Sequence, residues 1–423
     1  MREALTGFCI MLYSAVFELA RRLAGPMVGG IGRKKGWDID ERQKIPHAIS
    51  GRGRCSHTVA WVHAASLGEA KLLQQFLGML EARNPGDCYV VTATTRSGVE
   101  YLERMKSRSV AAVGFLPLDT LPLMRSLIRN FRISRLWLLE TELWPAMLWA
   151  CFTEGIPVGI ANARIEEKSF ANYRRLGLVV RTLLRRLDVV LAQNETYAQR
   201  FLSLGVRPET LHVVGNMKGY VRIGRPAASE RQPLRRSMNL TESDIVVTAG
   251  CLHRGEGAVL RRCLDELLRR GRRCKCIVVP RYLEESEEIA GELGGSVLRL
   301  SATDTTAAWD TCIVEKLGIL ESMYRIADAA VVGGTFSTIG GHNVWEPARF
   351  GIPVFFGPDC QTQNSSCEKL LTFGVGCKVT NGEELAGGLD RTLWTDPQKF
   401  AAAEKMFAEY SNQQQSIIEP LIP

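Results

Sequence analysis

The chain has 423 residues, which is long for one ordinary domain and favours two α/β domains of similar size. Lysine and arginine exceed acidic residues by eight, 53 against 45, so the surface favours anionic partners without the excess of a dedicated nucleic-acid binder. The arginines are dispersed and no basic patch is interleaved with aromatic residues, so we expect no nucleic-acid partner.

The chain begins with an apolar run at 8–17, which Glu18, Arg21 and Arg22 end before it reaches the ~20 residues of a simple membrane span. The basic residues at 33–35 and the lack of an AxA-type cleavage site favour a retained interfacial or short anchoring helix. A helix packed on the protein itself is the alternative. We assign residues 1–36 to a membrane-associating segment.

The 12 cysteines are scattered and form no CxxC pair, so we expect reduced core thiols and a cytoplasmic location. The six histidines do not lie near a cysteine at the spacing of metal ligands. We therefore expect neither a metal site nor a cofactor.

Apolar runs alternate with helical composition at 37–221, which predicts a parallel, doubly wound, Rossmann-like domain. Its strands are expected at 58–63, 88–93, 111–115, 135–139, 157–161 and 189–192. Polar side chains follow the strand ends at 66–69, 92–98, 140–145 and 162–164, where ligands of open α/β sheets collect.

Glu69 at this edge suits a general base, although a glutamate in a first helical turn also serves the helix dipole. Five arginines at 168–186 have helical spacing and indicate either a site for anionic head groups or a plain solvated face. Lys218, at the end of this domain, could balance phosphate charge.

The polar, proline-containing segment 222–234 reads as a linker, and 235–395 as a second Rossmann-like domain. Its strands are expected at 245–250, 274–279, 311–315, 331–332 and 354–356, and Arg281 follows the second of them. A helix is predicted to begin near 316–320 with N–H groups that suit a pyrophosphate or a base edge. Residues 396–423 should form a helix that packs back across the cleft between the domains.

The most specific stretch is 331–358. Gly333 and Gly334 let the chain turn closely after a buried strand, and a helix is predicted at 343–350 with Glu346 in its first turn. A helix start suits phosphate and an early carboxylate suits ribose hydroxyls, although an ordinary βαβ crossover would carry the same glycines. No P-loop, GxSxG, HExxH or dinucleotide fingerprint is present.

Taken together, six ordered motifs resemble the 3-deoxy-D-manno-octulosonic acid (Kdo) transferases of lipopolysaccharide biosynthesis. The resemblance implies an α/β fold of the GT-B type, with two Rossmann-like doubly wound domains facing a central cleft. It also implies an inverting glycosyltransferase that moves Kdo from CMP-Kdo to a lipid A precursor, lipid IVA, at the cytoplasmic face of the bacterial inner membrane. The motifs are WVHAASLGEA at 61–70, LETELWP at 139–145, ANAR at 161–164, VVGNMK at 213–218, VPR at 279–281 and GGTFSTIGGHNVWEPA at 333–348.

The resemblance assigns roles residue by residue. Glu69 matches the family's general base, and Glu140 and Lys218 match its transition-state stabilisers. The matches to the CMP-binding residues are Pro280, Arg281, Gly318, Ile319, Leu320, Asn343, Val344, Trp345 and Glu346.

The chain departs from the family's pattern at a few positions. Tyr282 replaces a histidine, Cys251 and Leu252 replace a Ser/Thr pair before His253, and Trp345 stands where leucine is more usual. Two other readings stay open. One is a UDP-sugar glycosyltransferase or epimerase with the same fold, and the other is a non-catalytic protein that binds a nucleotide sugar or a membrane surface.

Overall fold

The structure, a computed structural model, describes residues 2–34, 38, 40–48, 58–105, 107–219 and 224–422. The chain divides into two compact units. The first contains Met1–Met217 and Gln414–Pro423, and the second contains Lys218–Gln413.

The first unit is built on an eight-stranded sheet with the order β1-β4-β3-β2-β5-β6-β7-β8. Every strand pair is parallel except β1 with β4, so the order from β4 onwards is that of a doubly wound Rossmann-like sheet. The strands are β1 (His47–Ala48), β2 (Val59–Ala64), β3 (Cys88–Ala93), β4 (Val110–Phe115), β5 (Ile133–Leu139), β6 (Val158–Ala163), β7 (Val189–Ala192) and β8 (Leu211–Val213).

Helices of the first unit follow the strands in alternation, as the sequence predicts. They are α1 (Arg2–Lys34), α2 (Leu67–Arg83), α3 (Arg96–Glu103), α4 (Leu121–Phe131), α5 (Pro145–Thr153), α6 (Glu167–Arg175), α7 (Gly177–Leu184) and α8 (Glu195–Leu204). The arginine-rich stretch at 168–186 forms two helices, α6 and α7, in place of a single one.

The second unit is built on a parallel seven-stranded sheet with the order β11-β12-β10-β9-β13-β14-β15. The strands are β9 (Val246–Leu252), β10 (Lys275–Pro280), β11 (Val297–Leu300), β12 (Thr311–Val314), β13 (Ala329–Val332), β14 (Val354–Phe356) and β15 (Gly376–Lys378). The helices are α9 (Ala228–Ser237), α10 (Gly257–Arg269), α11 (Ser286–Leu293), α12 (Leu320–Ile326), α13 (Trp345–Ala348), α14 (Asn364–Phe373), α15 (Gly382–Asp390) and α16 (Pro397–Ile418).

Each sheet has a point where the winding reverses, between β2 and β5 in the first and between β9 and β13 in the second. Both faces of each sheet are covered by helices, so the strands are almost continuously buried and apolar. The loops after β2, β5, β9 and β13 therefore lie at the crevices where open α/β sheets bind ligands.

Two predicted segments lie near the unit boundary. The predicted linker at 222–234 includes the first seven residues of α9, which is a regular helix despite an internal proline, Pro233. The predicted C-terminal helix is present as α16, and its Phe407 packs on Trp345 and Phe373 within the second unit. Its packing across a cleft stays a prediction.

Helix α1 is partly integrated into the first unit. Ile10 belongs to the hydrophobic core, the Ser14 hydroxyl accepts the N–H of Leu121 at 2.9 Å, and the Gly7 backbone lies against the ring of Trp149. None of the described helices combines the length and the apolar character that crossing a bilayer requires.

The cysteines are mostly reduced, as expected. Ten of them are free thiols, and burial raises the pKa of Cys276 well above its ordinary value. The prediction is wrong for Cys88, which is disulfide-bonded.

Candidate functional site

Glu69 lies at the winding reversal of the first sheet, in the first turn of α2 directly after β2. Its Oε2 accepts the N–H of Ala65 at 2.7 Å, and its Oε1 accepts the Ser66 hydroxyl at 3.1 Å. The Ser66 hydroxyl in turn accepts the N–H of Glu69 at 3.5 Å and so caps the start of α2. The structure places Glu69 at the start of α2 and half-exposed at the strand edge, and its role as a general base stays a prediction.

Glu140 follows β5 across the same reversal and is buried. It has a φ of 60°, and Asn162, one strand further along, has a φ of 55°. Left-handed backbone is costly for residues with a side chain, and it persists where surrounding contacts over-determine it. Here those contacts include a hydrogen bond from Asn162 Nδ2 to Glu140 Oε1 at 3.4 Å and an ion pair of Arg164 with Glu140 at 3.7 Å.

Asn162 also reaches the chain next to Lys218. Its Oδ1 accepts the N–H of Met217 at 2.9 Å, and its own carbonyl accepts from Gln193 Nε2 at 3.0 Å. Lys218 follows Met217 in a short 3₁₀ turn and is half-buried. One fully buried amide side chain thus contacts both Glu140 and Met217, the residue before Lys218.

His63 is fully buried at the end of β2. Its Nδ1 lies 2.9 Å from the Thr92 hydroxyl, whereas its Nε2 has no hydrogen-bond partner and lies 3.7 Å from a carboxylate oxygen of Glu142. That carboxylate accepts the indole N–H of Trp144 at 2.8 Å, and the Arg42 guanidinium lies over the Trp144 ring. This edge of the first sheet therefore holds more charged groups than the site residues predicted from the sequence.

Asp119, in the loop after β4, caps α5 from outside the helix. Its two oxygens accept the N–H groups of Ala146 and Met147 at 3.0 and 2.8 Å. Burial raises the pKa of Asp119 to about 6, against the opposing effect of those hydrogen bonds, the Tyr13 hydroxyl and Arg42. Tyr13 belongs to α1, so the N-terminal helix is tied to the loop that carries Glu142 and Trp144.

The winding reversal of the second sheet is shaped by close backbone contacts. A Cβ on Gly333 would lie 2.3 Å from the carbonyl oxygen of Cys251, so only glycine allows β9 and β13 to approach here. Cys251 itself has a φ of 55°. The predicted need for glycine at this turn is thereby explained by neighbouring backbone.

Three backbone N–H groups at this turn already have a carboxylate acceptor. The buried Glu256 carboxylate accepts the N–H of His253 at 2.9 Å and of Gly334 at 2.8 Å through Oε2. Its Oε1 accepts the N–H of Phe336 at 3.0 Å. An anionic ligand at this turn would therefore have to be met mainly by side chains.

Pro280 and Arg281 end β10 beside β9. Pro280 is buried, and the N–H of Arg281 donates to the carbonyl of Leu252 at 2.9 Å. The Arg281 side chain is exposed, lies over the Tyr282 ring and has no carboxylate partner among the residues that the structure describes. Its charge is available for a ligand.

Gly318, Ile319 and Leu320 precede or begin α12, which starts at Leu320 and is seven residues long. Gly318 is exposed with a φ of 78°, and Leu320 packs against Gly250 of β9. The segment therefore forms a turn after β12, and the helix begins at Leu320, the last residue of the stretch where its start was predicted.

The predicted helix at 343–350 is only four residues long, Trp345–Ala348. Val344 and Trp345 are buried in the core, and the Trp345 indole N–H donates to Ser366 at 2.9 Å. Asn343 Oδ1 accepts the N–H of Trp345 at 3.1 Å, and Glu346 is half-buried. Any contact of Val344 or Trp345 with a nucleotide would therefore be made by backbone.

Sequence reasoning missed several residues of both edges. Asn162 lay within a quoted motif but received no role, and Asp119 and Glu256 act through hydrogen bonds to backbone far along the chain. His253 and His342 contact each other through their rings although 89 residues separate them. In the part of the chain that the structure describes, no group of three or more potential metal ligands is found.

The sequence of this chain is similar to those of known proteins. Residues 38–221 match the model of the family described as 3-Deoxy-D-manno-octulosonic-acid transferase (kdotransferase). Over 323 residues the chain is 32% identical to the 3-deoxy-D-manno-octulosonic acid transferase of Chlamydophila psittaci, covering 75% of this chain and 74% of that protein.

The fold is shared with solved structures of low sequence identity. A glycosyltransferase from Rickettsia africae aligns with a TM-score of 0.57 at 12% identity, covering 87% of this chain and 99% of that one. UDP-GlcNAc 2-epimerase from Neisseria meningitidis aligns with a TM-score of 0.60 at 14% identity, covering 86% and 99%. The expected fold class, Rossmann-like domains of the GT-B type, is confirmed, and this fold serves transferases and epimerases alike.

Proposed function

The chain belongs to the 3-deoxy-D-manno-octulosonic acid (Kdo) transferase family of glycosyltransferases, and from this premise we propose that it moves Kdo from CMP-Kdo to a lipid A precursor, lipid IVA, with inversion at the anomeric carbon. Glu69 carries the proposal. It is a half-exposed carboxylate, held by its own loop, at the winding reversal of the first sheet.

The reaction is a single displacement. Glu69 takes the proton of the acceptor hydroxyl as that oxygen attacks C2 of Kdo, and the bond from C2 to the phosphate oxygen breaks with its electron pair leaving on CMP. The hydrogen bonds from Ala65 and Ser66 fix the direction of the carboxylate, which reduces the reorganisation needed during proton transfer.

Charge developing on CMP requires cationic groups or oriented dipoles. Arg281, which has no carboxylate partner among the described residues, is assigned to the phosphate, and Lys218 to the developing transition-state charge. Glu140 and Asn162 are assigned to positioning, since their strained backbone and mutual hydrogen bond fix the loop beside Glu69's strand.

Helix α1 supports a location at the membrane surface. The side that faces away from Thr6, Ile10 and Ser14 carries six exposed apolar residues, Leu5, Phe8, Met11, Leu12, Val16 and Leu19. They recur at helical spacing and form one stripe, which suits burial at the boundary between head groups and acyl chains.

A basic groove lies beside the first turn of this helix, at Glu3. Its volume is 610 Å³ and it is lined by Arg181, Arg185, Arg186, Arg207 and Glu3, together with Leu178 and Thr182. Arg181 and Arg185 have no carboxylate partner among the described residues. We assign the groove and the stripe to the anionic cytoplasmic face of the bacterial inner membrane.

The donor is tested by titrating purified enzyme with CMP and with UDP, followed by assay of CMP-Kdo with lipid IVA and mass spectrometry of the lipid. Binding of CMP and an acceptor heavier by Kdo are the expected results. Tight UDP binding without a response to CMP would favour a UDP-sugar enzyme, and CMP binding with unmodified acceptor would favour a non-catalytic binder.

The membrane contact is tested by sedimentation with vesicles of phosphatidylethanolamine and phosphatidylglycerol. Replacing Phe8 and Leu12 by serine should weaken binding at least 10-fold, since each removes exposed apolar area worth more than ~1 kcal/mol in the interface. Leu268→Ser, an exposed leucine of α10, is the matched control and should bind as wild type. Equal binding by all three proteins would contradict the assignment.

A further inference from the structure

Two histidines meet at the winding reversal of the second sheet. His253 follows β9, and His342 lies in the loop that follows β13. Their ring planes are nearly parallel, with an interplanar angle of 12° and centroids 5.1 Å apart. The Nε2 atoms are 2.8 Å apart, which is the distance of a hydrogen bond.

A hydrogen bond between two imidazole nitrogens requires one hydrogen between them. Nδ1 of His253 lies 3.4 Å from a carboxylate oxygen of Glu285, so the favoured tautomer carries its hydrogen on Nδ1. Nε2 of His253 then accepts, and Nε2 of His342 donates. In the neutral pair, Nδ1 of His342 therefore carries no hydrogen and can only accept a hydrogen bond.

Nδ1 of His342 has no hydrogen-bond partner among the residues that the structure describes, and it is not enclosed by the protein. Adding one proton there turns it into a donor without breaking the contact to His253. The relay from Glu285 through His253 therefore allows His342 to change from an acceptor to a cationic donor by taking up a single proton.

We propose that Nδ1 of His342 is protonated when the nucleotide binds and donates to its phosphate, with His253 and Glu285 acting as positioning residues. This inference rests on the proposed function and adds a phosphate-binding group to it. When the bond between C2 and the phosphate oxygen breaks, the phosphate gains a second negative charge, which the imidazolium offsets. The proton comes from solvent at the binding step.

A phosphate at this turn would depend mainly on side chains, because two backbone N–H groups of the turn already have an acceptor. Glu256 already accepts the N–H groups of Gly334 and Phe336, and α13 is too short to offer a helix terminus. Arg281 follows the neighbouring strand and supplies a fixed charge, so a phosphate here would meet one permanent and one recruited cation.

The groups around His342 explain why the proton is absent before binding. Burial, followed by the positive charge of Arg281 and the neighbouring His253, lowers the pKa of His342 to about 4. The other charged groups facing the pair are Glu285 and the buried Glu256, and Tyr282 contacts His253 edge to face. A bound phosphate raises this pKa, so nucleotide affinity should fall as the pH rises through the pKa of the complex.

The test is calorimetry of CMP binding at pH 7.5 in buffers of different ionisation enthalpy, which counts the protons exchanged. Wild type should take up a fraction of a proton, up to about one, per CMP, whereas cytidine, which lacks the phosphate, should cause none. His342→Gln should abolish the uptake and weaken CMP binding roughly 10-fold, as expected for the loss of a charge-assisted hydrogen bond.

His253→Gln is the second variant, because it removes the relay while keeping His342. It should reduce proton uptake, whereas a purely structural role would change thermal stability and leave the uptake intact. His47→Gln, an exposed histidine of β1, is the control and should match wild type. Proton uptake that persists in His342→Gln, or CMP binding by wild type without uptake, overturns this inference alone. Failure of wild type to bind CMP overturns the proposed donor as well.

Discussion

The two winding reversals are built by different means. At the first, carboxylates and amides are fixed by side-chain hydrogen bonds, and Glu140 and Asn162 accept a left-handed backbone to keep those contacts. At the second, shape comes from glycine, since a side chain at Gly333 would collide with the backbone at Cys251. The first edge is therefore shaped by charge and hydrogen bonding, whereas the second combines close backbone packing at Gly333 with the hydrogen bonds that Glu256 accepts.

This difference matches the two tasks of a transferase. A proton acceptor must be held in one direction with its charge intact, which requires surrounding donors. A nucleotide requires a surface that it can approach closely, which requires small residues. Under the proposed function, the same doubly wound architecture would support chemistry at one edge and binding at the other.

Glu69→Gln gives the sharpest test of the first edge. Glutamine keeps the size and part of the capping, but it cannot accept the acceptor's proton, so kcat should fall by at least ~10²–10⁴. CMP affinity should be unchanged, because the nucleotide is assigned to the second unit. Steady-state transfer and CMP titration on one preparation measure both.

Glu195→Gln is the matched control for that change. Glu195 is also a first-turn glutamate at this sheet edge, in α8, and is exposed. If both variants lost turnover equally, the effect would belong to the helix dipole and not to a general base.

The free energy of unfolding should depend on pH through Asp119, which lies at the first edge. Its folded pKa is about 6, whereas an unfolded aspartate titrates near 3.9, so the native state holds its proton over a range where the unfolded state does not. The stabilisation from this group is complete below the unfolded value and is lost as the pH rises through 6. From pH 4.5 to 7.5 the loss should be about 2 kcal/mol.

Urea unfolding of wild type and Asp119→Asn at both pH values isolates this contribution. As the pH rises from 4.5 to 7.5, the unfolding free energy of wild type should fall by about 2 kcal/mol relative to that of Asp119→Asn. A difference that stays constant with pH would mean that Asp119 titrates normally in the folded protein.

How far the sequence predicts these edges depends on the range of the interactions. The strand at 88–93 and the strand at 354–356 were predicted with the observed bounds, because apolar runs between turns are a local signal. The helix at 343–350 was overpredicted, because Trp345 serves the core and the chain turns after Ala348. The roles of Asn162 and Glu256 arise from hydrogen bonds 55 and 78 residues away along the chain. No local pattern carries them.

Gly333→Ala tests the second edge. The added Cβ would lie 2.3 Å from the Cys251 carbonyl oxygen, and backbone cannot move aside as a flexible side chain can. We expect a loss of about 1–3 kcal/mol in unfolding free energy, together with weaker CMP binding. Gly291→Ala, in α11 with open space around the new Cβ, should be neutral or stabilising in the same thermal melts.

Two substitutions of Asn162 separate the effect of backbone strain on stability from the effect of its hydrogen bonds at the first edge. Asn162→Gly removes the strain of a φ of 55° and the side chain together, whereas Asn162→Ala keeps the strain and removes the same hydrogen bonds. The alanine variant should therefore be less stable than the glycine variant by about 1 kcal/mol. Both should lose turnover to a similar extent, because both release the N–H of Met217 and the carboxylate of Glu140. If the glycine variant kept full turnover, the left-handed backbone alone would position this loop, and the amide would have no part in placing Glu140 or the chain before Lys218.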